Sequence, residues 1–401
     1  MNIHPLESSI SGRARALEAS KIRAVAEGAM GRSDVIPLWF GEGAWDTDPL
    51  IVEAAVKSLR SGNHMYKPNN GSIALRDEIC RYERNLTGTA LSRDRITVTP
   101  SGMQGLRLVA ELLVTPGDRV VVIEPNWPNI AAAFQNSGAD ICRLALEPKD
   151  GSWCLDIDAL LGMLTPDTTA VVVNSPNNPT GWTMPTEDQK LLLDHCRANG
   201  IWIVSDDVYR RLYRHGKVAP TFLDIAAPED RLISVNSFSK TWSMTGWRLG
   251  WIVAPAAVEA KLGQLTEFNT SCTAGFVQDA GVAALRDCET SVTELRDRIR
   301  LGYQITSEFL SGLERIRFIE PDGAFYSFFR VDGMTDSYKA ATDILEATGV
   351  GLAPGIAFGD SGEGYLRLCY AQPAETLRTA FERLEPVLRR QKEPQIPEVQ
   401  R

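Results

Sequence analysis

Residues 169–181 read TAVVVNSPNNPTG. Four apolar residues follow one another without alternation, which is how a strand buried on both faces reads. Asparagine, proline and glycine then close the run with turn chemistry. Four more segments repeat the pattern: RITVT (95–99), RVVVIE (119–124), IWIVSD (201–206) and LISVNS (232–237), each followed by a helix-like stretch. Strand and helix in alternation imply a parallel α/β sheet. GWRLGWIVAP (246–255) offers one further strand, with its direction reversed.

Outward from this block the pattern changes. Residues 1–32 are polar to amphipathic and read as an arm plus a helix. VIPLWFGEG (35–43) is a short apolar run ended by glycine, and Asp48-Pro49 then opens a helix through LIVEAAVKSLRSG. From 290 a long amphipathic helix (TSVTELRDRIRLGYQITSEFLSGLE) leads to strand-like IRFIEPDGAFYSFFRV and GYLRLCYA and a closing helix over 374–390. The expected division is an arm and part of a small domain over 1–47, a large ligand-binding domain over 48–288, a small domain over 289–390, and a disordered tail over 391–401.

The 401 residues are 44% hydrophobic and 23% charged, ordinary globular composition with material for a large core. A formal charge of −9 argues against nucleic acid, which calls for a basic face. Seven cysteines with no CxxC spacing argue against a disulfide framework or a zinc site, and place the chain in a reducing cytoplasm. No apolar run reaches the ~18 residues of a membrane helix. Four histidines leave little for a mechanism built on histidine pairs.

In open α/β sheets, ligands bind beyond the carboxyl ends of the strands. The five strands deliver PSGMQ (100–104), PNWPN (125–129), SPNNPTG (175–181), DVY (207–209, after Asp206) and FSK (238–240) to that rim. Ser101, Gly102 and Met103 stand where a helix begins and favour an anion. Ser237 and Arg248 add a hydroxyl and a guanidinium fork suited to phosphate. Trp127 provides a stacking plate. Asp206 suits a ring nitrogen kept protonated, and Asn178 and Tyr209 suit a phenolic oxygen. Lys240 has no charged neighbour for several residues on either side, as an imine-forming amine requires. Pyridoxal phosphate carries the complement of all these groups.

Three motifs carry a resemblance: NNPTG (177–181), SDDVY (205–209) and SFSKTWSMTGWRLGW (237–251). Across residues 33–390 the chain resembles the class I aminotransferases of the fold type I pyridoxal phosphate enzymes. That resemblance implies an α/β fold, with a mostly parallel central sheet flanked by helices and a smaller α+β domain. It implies a transaminase acting on an amino acid and a 2-oxo acid by a ping-pong cycle, with Lys240, Asp206 and Tyr209 catalytic. It places Gly41, Trp127, Asn178 and Arg367 (in GYLRLCYA) at the substrate, Arg367 on the α-carboxylate. Tyr66, in HMYKPNNG, matches a tyrosine that reaches the neighbouring subunit's phosphate, which implies a homodimer with shared sites.

Two departures bear on substrate. Where a branch of the aspartate aminotransferases has a lysine for the distal carboxylate, this chain has Met103. GEGAW (41–45) replaces a commoner Gly-Glu-Pro-Asp-Phe. With Trp45, Tyr66 and Trp127 expected to make the pocket aromatic, the expectation is an apolar or aromatic amino donor, with glutamate or 2-oxoglutarate as the other partner. Taken singly, each residue has a plain structural reading: a helix cap for Asp206, turn chemistry for NNPTG, core packing for Trp127. Their conjunction in strand order favours the site. A β-lyase using the same cofactor, and the effector domain of a transcription regulator, are the alternatives; residues 1–32 are too short to be the latter's DNA-binding domain.

Overall fold

A computed structural model describes residues 6, 9–15 and 17–389. The expected tail at 391–401 lies outside the described residues. Seven strands form the main sheet, in the spatial order Ile96–Thr99, Gly250–Val253, Leu232–Ser237, Trp202–Asp206, Thr168–Asn174, Arg119–Glu124, Asp140–Ala145. All pairings are parallel except those of Gly250–Val253, which runs antiparallel to both neighbours, as its sequence suggested.

The missing alternation has the expected cause. Val121, Ile123, Val171, Val173 and Ile203 pack into one core, while Val120, Val122, Ala170, Val172 and Val204 pack into a second core on the opposite face. Successive side chains of a strand point to opposite faces, so a strand covered on both sides must be apolar throughout. Asp140–Ala145, which sequence reading did not find, is one of the two edge strands, the other being Ile96–Thr99. Its side chains are half-buried or exposed, so it includes Asp140 and Arg143 and lacks an apolar run.

The helices start where local chemistry starts them. Asp48 accepts a hydrogen bond from Leu50 N at 2.7 Å, with Pro49 in the first turn of Pro49–Arg60. Ser101 caps Gly102–Leu113 through Gln104 N at 2.9 Å. That cap abuts the antiparallel strand so closely that a Cβ on Gly250 would lie 2.6 Å from Gly102 N. A glycine there lets the helix N-terminus rest against the sheet.

A second sheet, all antiparallel, orders Ile316–Arg317, Tyr326–Val331, Tyr365–Cys369 and Ala353–Pro354. IRFIEPDGAFYSFFRV is thus two strands with a loop between them, where one continuous segment was expected. The helix Glu289–Ser311 leads into this sheet from the chain of the first, and Ser337–Thr348 and Ala374–Arg389 pack on one another within the second unit. Ile36–Pro37 pairs in parallel with Val350–Gly351, which ties the N-terminal segment to the second sheet. The arm expected over 1–32 contains two short helices among the described residues, Gly12–Arg15 and Lys21–Glu27. No helix of the described residues is long and apolar enough to cross a membrane. The seven cysteines are free thiols, all buried or half-buried.

Candidate active site

The carboxyl ends of five strands and one edge of the second sheet enclose a cavity of ≈ 470 Å³. Its wall includes Gly41, Gly102, Met103, Trp127, Asn178, Asp206, Tyr209, Ser237, Lys240, Arg248 and Arg367, eleven of the fourteen residues singled out from sequence. Ser101 stands behind the wall with its hydroxyl committed to the helix cap. Tyr66 is 87% exposed and lies outside the cavity. Of the three aromatics expected to line it, only Trp127 does; Trp45 lines a separate cavity with Trp247 and Phe276.

SDDVY contains two adjacent aspartates, and the structure separates them. Asp207 points into the protein and accepts hydrogen bonds from Ser205 Oγ (2.7 Å), Thr221 Oγ1 (3.0 Å) and Ser234 Oγ (2.6 Å). Asp206 is 5% exposed, and the one hydrogen bond to its carboxyl among the described residues is from Val208 N at 3.2 Å. Burial pushes its carboxyl up to about 7, with Asp207 adding to the rise and Lys240 opposing it. A buried carboxyl lacking a bonded cation is costly. It faces the cavity, where a cationic group would satisfy it.

Lys240 lies in the short helix Phe238–Thr241 and donates to Gly41 O at 2.6 Å. Burial pushes its ammonium down to about 8, with Glu42 and Cys369 pulling back. An amine depressed in this way is neutral, and therefore nucleophilic and basic, far nearer physiological pH than an exposed lysine.

Arg367 lies on the facing strand, 2% exposed. Nη1 donates to Asn178 Oδ1 at 2.8 Å and Nη2 to Trp39 O, while Nε is buried without an acceptor. The guanidinium rests between Tyr326 (4.4 Å to the ring centroid) and Phe358 (4.7 Å). Because Asn178 Oδ1 is taken, its amide nitrogen is the group left for a ligand. Tyr209 Oη meets Tyr326 Oη at 2.6 Å, and burial drives both phenols upward, so both stay protonated.

At the other end stand the N-terminus of Gly102–Leu113, Ser237, Ser239 and Arg248. Ser237 Oγ accepts from Ser239 N at 3.1 Å and donates to Ser239 Oγ at 2.9 Å. Arg248 is held at φ 56°, in the left-handed region, and donates Nη1 to Thr245 O.

Sequence reading missed several wall residues. Asn174 ends its strand in register with Asp206, donates to Asp206 O at 3.1 Å and accepts from Asn178 N at 2.9 Å. Its position at a strand end was a usable signal. Tyr326 gave none, since it lay within a segment read as plain strand. Its hydroxyl fills the space over Gly41, where a Cβ would come 2.0 Å from it. Ser20 and Arg23 reach the cavity from Lys21–Glu27, a segment read as part of an arm.

The cavity fits pyridoxal phosphate by the chemistry of its groups. A buried carboxyl awaits a cation, a neutral-leaning amine awaits a carbonyl, and helix amides, hydroxyls and a guanidinium await an anion.

Comparison with known proteins agrees. The family of class I and II aminotransferases matches residues 34–384. The aspartate aminotransferase of Pyrococcus horikoshii is 35% identical over 96% of this chain and 98% of its own length. The arginine–pyruvate transaminase of Pseudomonas aeruginosa is 33% identical over 88% of this chain and 89% of its own. Among solved structures, the aromatic aminotransferase of Pyrococcus horikoshii superposes with a TM-score of 0.84 at 30% identity, covering 92% of this chain and 98% of that one.

Proposed function

The chain belongs to the class I and II aminotransferases and is a pyridoxal-phosphate-dependent transaminase, and from that membership we propose how its residues divide the work. When bound, the cofactor supplies a carbonyl that takes the amino group and a ring that draws off the electrons left as the α-proton departs. Lys240 holds that carbonyl and, once displaced by the incoming amine, carries the α-proton on its Nζ. Asp206 keeps the ring nitrogen protonated. Tyr209 Oη and the Asn178 amide donate to the ring oxygen. Trp127 covers the ring face. The amides of Gly102 and Met103, the hydroxyl of Ser237, and Arg248 hold the phosphate, with Ser101 capping the helix that presents those amides. Arg367 grips the α-carboxylate with its free Nε edge, and Gly41, a wall residue beside it, lets the Tyr326 hydroxyl pack close. The observation that carries this division is the contrast between Asp207, fully bonded, and Asp206, buried and turned to the cavity. The amino group is exchanged in two half-reactions through one site, a ping-pong cycle. Residues 48–288 form the cofactor-binding domain and 289–390, with the segment before 48, the smaller one.

The donor follows from the wall. Met103, Leu106, Phe40 and Ile22 are apolar, and Trp127 adds an aromatic plate. Arg23 is the one wall guanidinium with no hydrogen bond or carboxylate partner among the described residues; Arg248 and Arg367 are both bonded. An apolar or aromatic donor suits the wall, and a dicarboxylate such as 2-oxoglutarate suits Arg23 as acceptor. Phenylalanine is expected to outperform aspartate as donor in kcat/KM. Arg23→Ala is expected to raise KM for 2-oxoglutarate about 5–50-fold while leaving KM for pyruvate unchanged, since a charged hydrogen bond contributes ~1.5–3 kcal/mol and this one is partly exposed. A preference for aspartate, or an equal effect on both acceptors, would contradict this reading.

Tyr66 supports a homodimer. It is 87% exposed beside Met65 at 71%, and Phe268 is 85% exposed. Apolar side chains this bare suit a partner surface. Light scattering should give twice the 44.1 kDa chain mass, and Tyr66→Phe should weaken cofactor retention without changing that mass. A monomer that retains the cofactor would refute both statements.

A further inference from the structure

On the far side of Ile299 from the Lys240 region lies a second cavity of ≈ 220 Å³. Ile299 also lines a small void that reaches Lys240. Arg214, Arg296 and Arg300 line the second cavity together with Tyr303, Gln304 and Tyr370, and no carboxylate is among its lining residues.

The three guanidinium groups are unequally satisfied. Arg214 lies over the Tyr303 ring at 3.7 Å, a cation–π contact that fixes its plane. Its Nη2 donates to Glu320 at 3.2 Å, and its Nη1 is buried with no acceptor. Arg296 donates Nη2 only to the backbone carbonyls of Tyr213 and Gly216, and no carboxylate lies within ion-pair distance of it among the described residues. Burial lowers its proton affinity, and the neighbouring charges of Arg211 and Arg300 lower it further. Arg300 pairs with Asp297 at 2.9 Å, both largely exposed, a contact that contributes little. Tyr370 is fully buried and its hydroxyl has no partner. Buried polar groups are normally paired. Here two lie beside one cavity, next to an arginine that feels Glu289 and Asp297 only at a distance, with no carboxylate in ion-pair contact among the described residues.

We propose that this cavity is a second anion-binding site, for a compact oxyanion such as a phosphate or a small polycarboxylate, with Arg214, Arg296 and Tyr370 as its donors and Arg300 at its rim. The volume is well above the ~10–15 Å³ that a single water needs. Planar guanidinium forks match the oxygens of either anion. The site does not depend on how the catalytic roles are divided. Tyr370 stands three residues beyond Arg367 on the same run of chain, so an occupant would brace the strand that carries Arg367.

The test is calorimetric titration of the cofactor-loaded enzyme with inorganic phosphate and, separately, with citrate, at constant ionic strength. Cofactor absorbance is recorded to detect any ion entering the catalytic cavity. The expected result is saturable binding of one ion per chain with no absorbance change. The arm that binds tighter identifies the class. Arg296→Gln and the charge reversal Arg300→Glu should each weaken binding at least ~10-fold. Arg296 also holds two carbonyls, so Tyr370→Phe serves as the variant that cannot be dismissed as misfolded. It removes an unbonded hydroxyl, should leave the ion-free melting temperature unchanged or raised, and should still weaken binding. Absence of saturable binding of either ion would overturn the proposal. So would binding that all three variants leave intact, or that Arg23→Ala abolishes.

Discussion

Lys240→Ala is expected to lower kcat at least ~10³-fold, near the top of the range for loss of a positioned acid–base group, because the same Nζ both holds the cofactor carbonyl and moves the proton. Borohydride treatment of the loaded wild-type enzyme should leave a covalent mass addition on the peptide containing Lys240, and none in the variant. The fold is expected to survive. Among the described residues, the only side-chain hydrogen bond lost is that to Gly41 O. The buried amine is itself a liability: its folded value is about 8 against 10.5. The cost of burying its charge is complete below pH 8 and fades as the pH rises to 10.5, where the unfolded chain is neutral too. At pH 7 the cofactor-free variant should therefore melt no lower than wild type. Turnover within ~10-fold of wild type would show that another amine does the work.

How far the sequence disclosed this site depended on what kind of signal each residue left. Strands covered on both faces have no alternation, and that made five of them readable, Ile96–Thr99 at one edge of the sheet included. Asp140–Ala145, at the other edge and with its faces only half-covered, lost the signal and was missed. Rim residues were found where they followed a strand directly, as with Asp206, Asn178 and Lys240. They were missed where a long connection brought them in. Arg23 reaches the cavity from a seven-residue helix near the N-terminus, Tyr326 from the second sheet. No local pattern encodes that convergence; it arises because Ile36–Pro37 pairs with Val350–Gly351 and draws the N-terminal segment toward the second sheet. Trp45 illustrates the converse. It was expected among the aromatics of the pocket, yet the structure places it with Trp247 and Phe276.

Asp206→Asn should separate activity from stability, and the two effects should have opposite signs. Activity is expected to fall ~10²–10⁴-fold, since breaking a buried charged pair costs roughly 3–5 kcal/mol and that loss is felt as the ring takes on charge. The cofactor-free protein, by contrast, should become more stable. The folded carboxyl titrates at about 7 and the unfolded one at 3.8. Between those values the unfolded chain ionises while the folded chain keeps its proton, so wild-type stability drops as pH rises through that window. The penalty is complete above pH 7 and absent below about 4. Its ceiling is about 4 kcal/mol, from ~1.4 kcal/mol per unit of pKa. Asparagine has no charge to bury, so urea unfolding of the cofactor-free variant at pH 8 should show a higher midpoint, with the advantage vanishing towards pH 4. Asp207→Asn is the control with the reverse expectation. Its carboxylate accepts from three hydroxyls, so the substitution should destabilise the fold at pH 8. A residue retained for packing would show a loss of stability on replacement. Only one retained for a ligand's cation would weaken the empty protein and be indispensable to the loaded one. Near-wild-type turnover in Asp206→Asn would place the ring nitrogen's partner elsewhere, and Asp207 is too fully bonded to take its place.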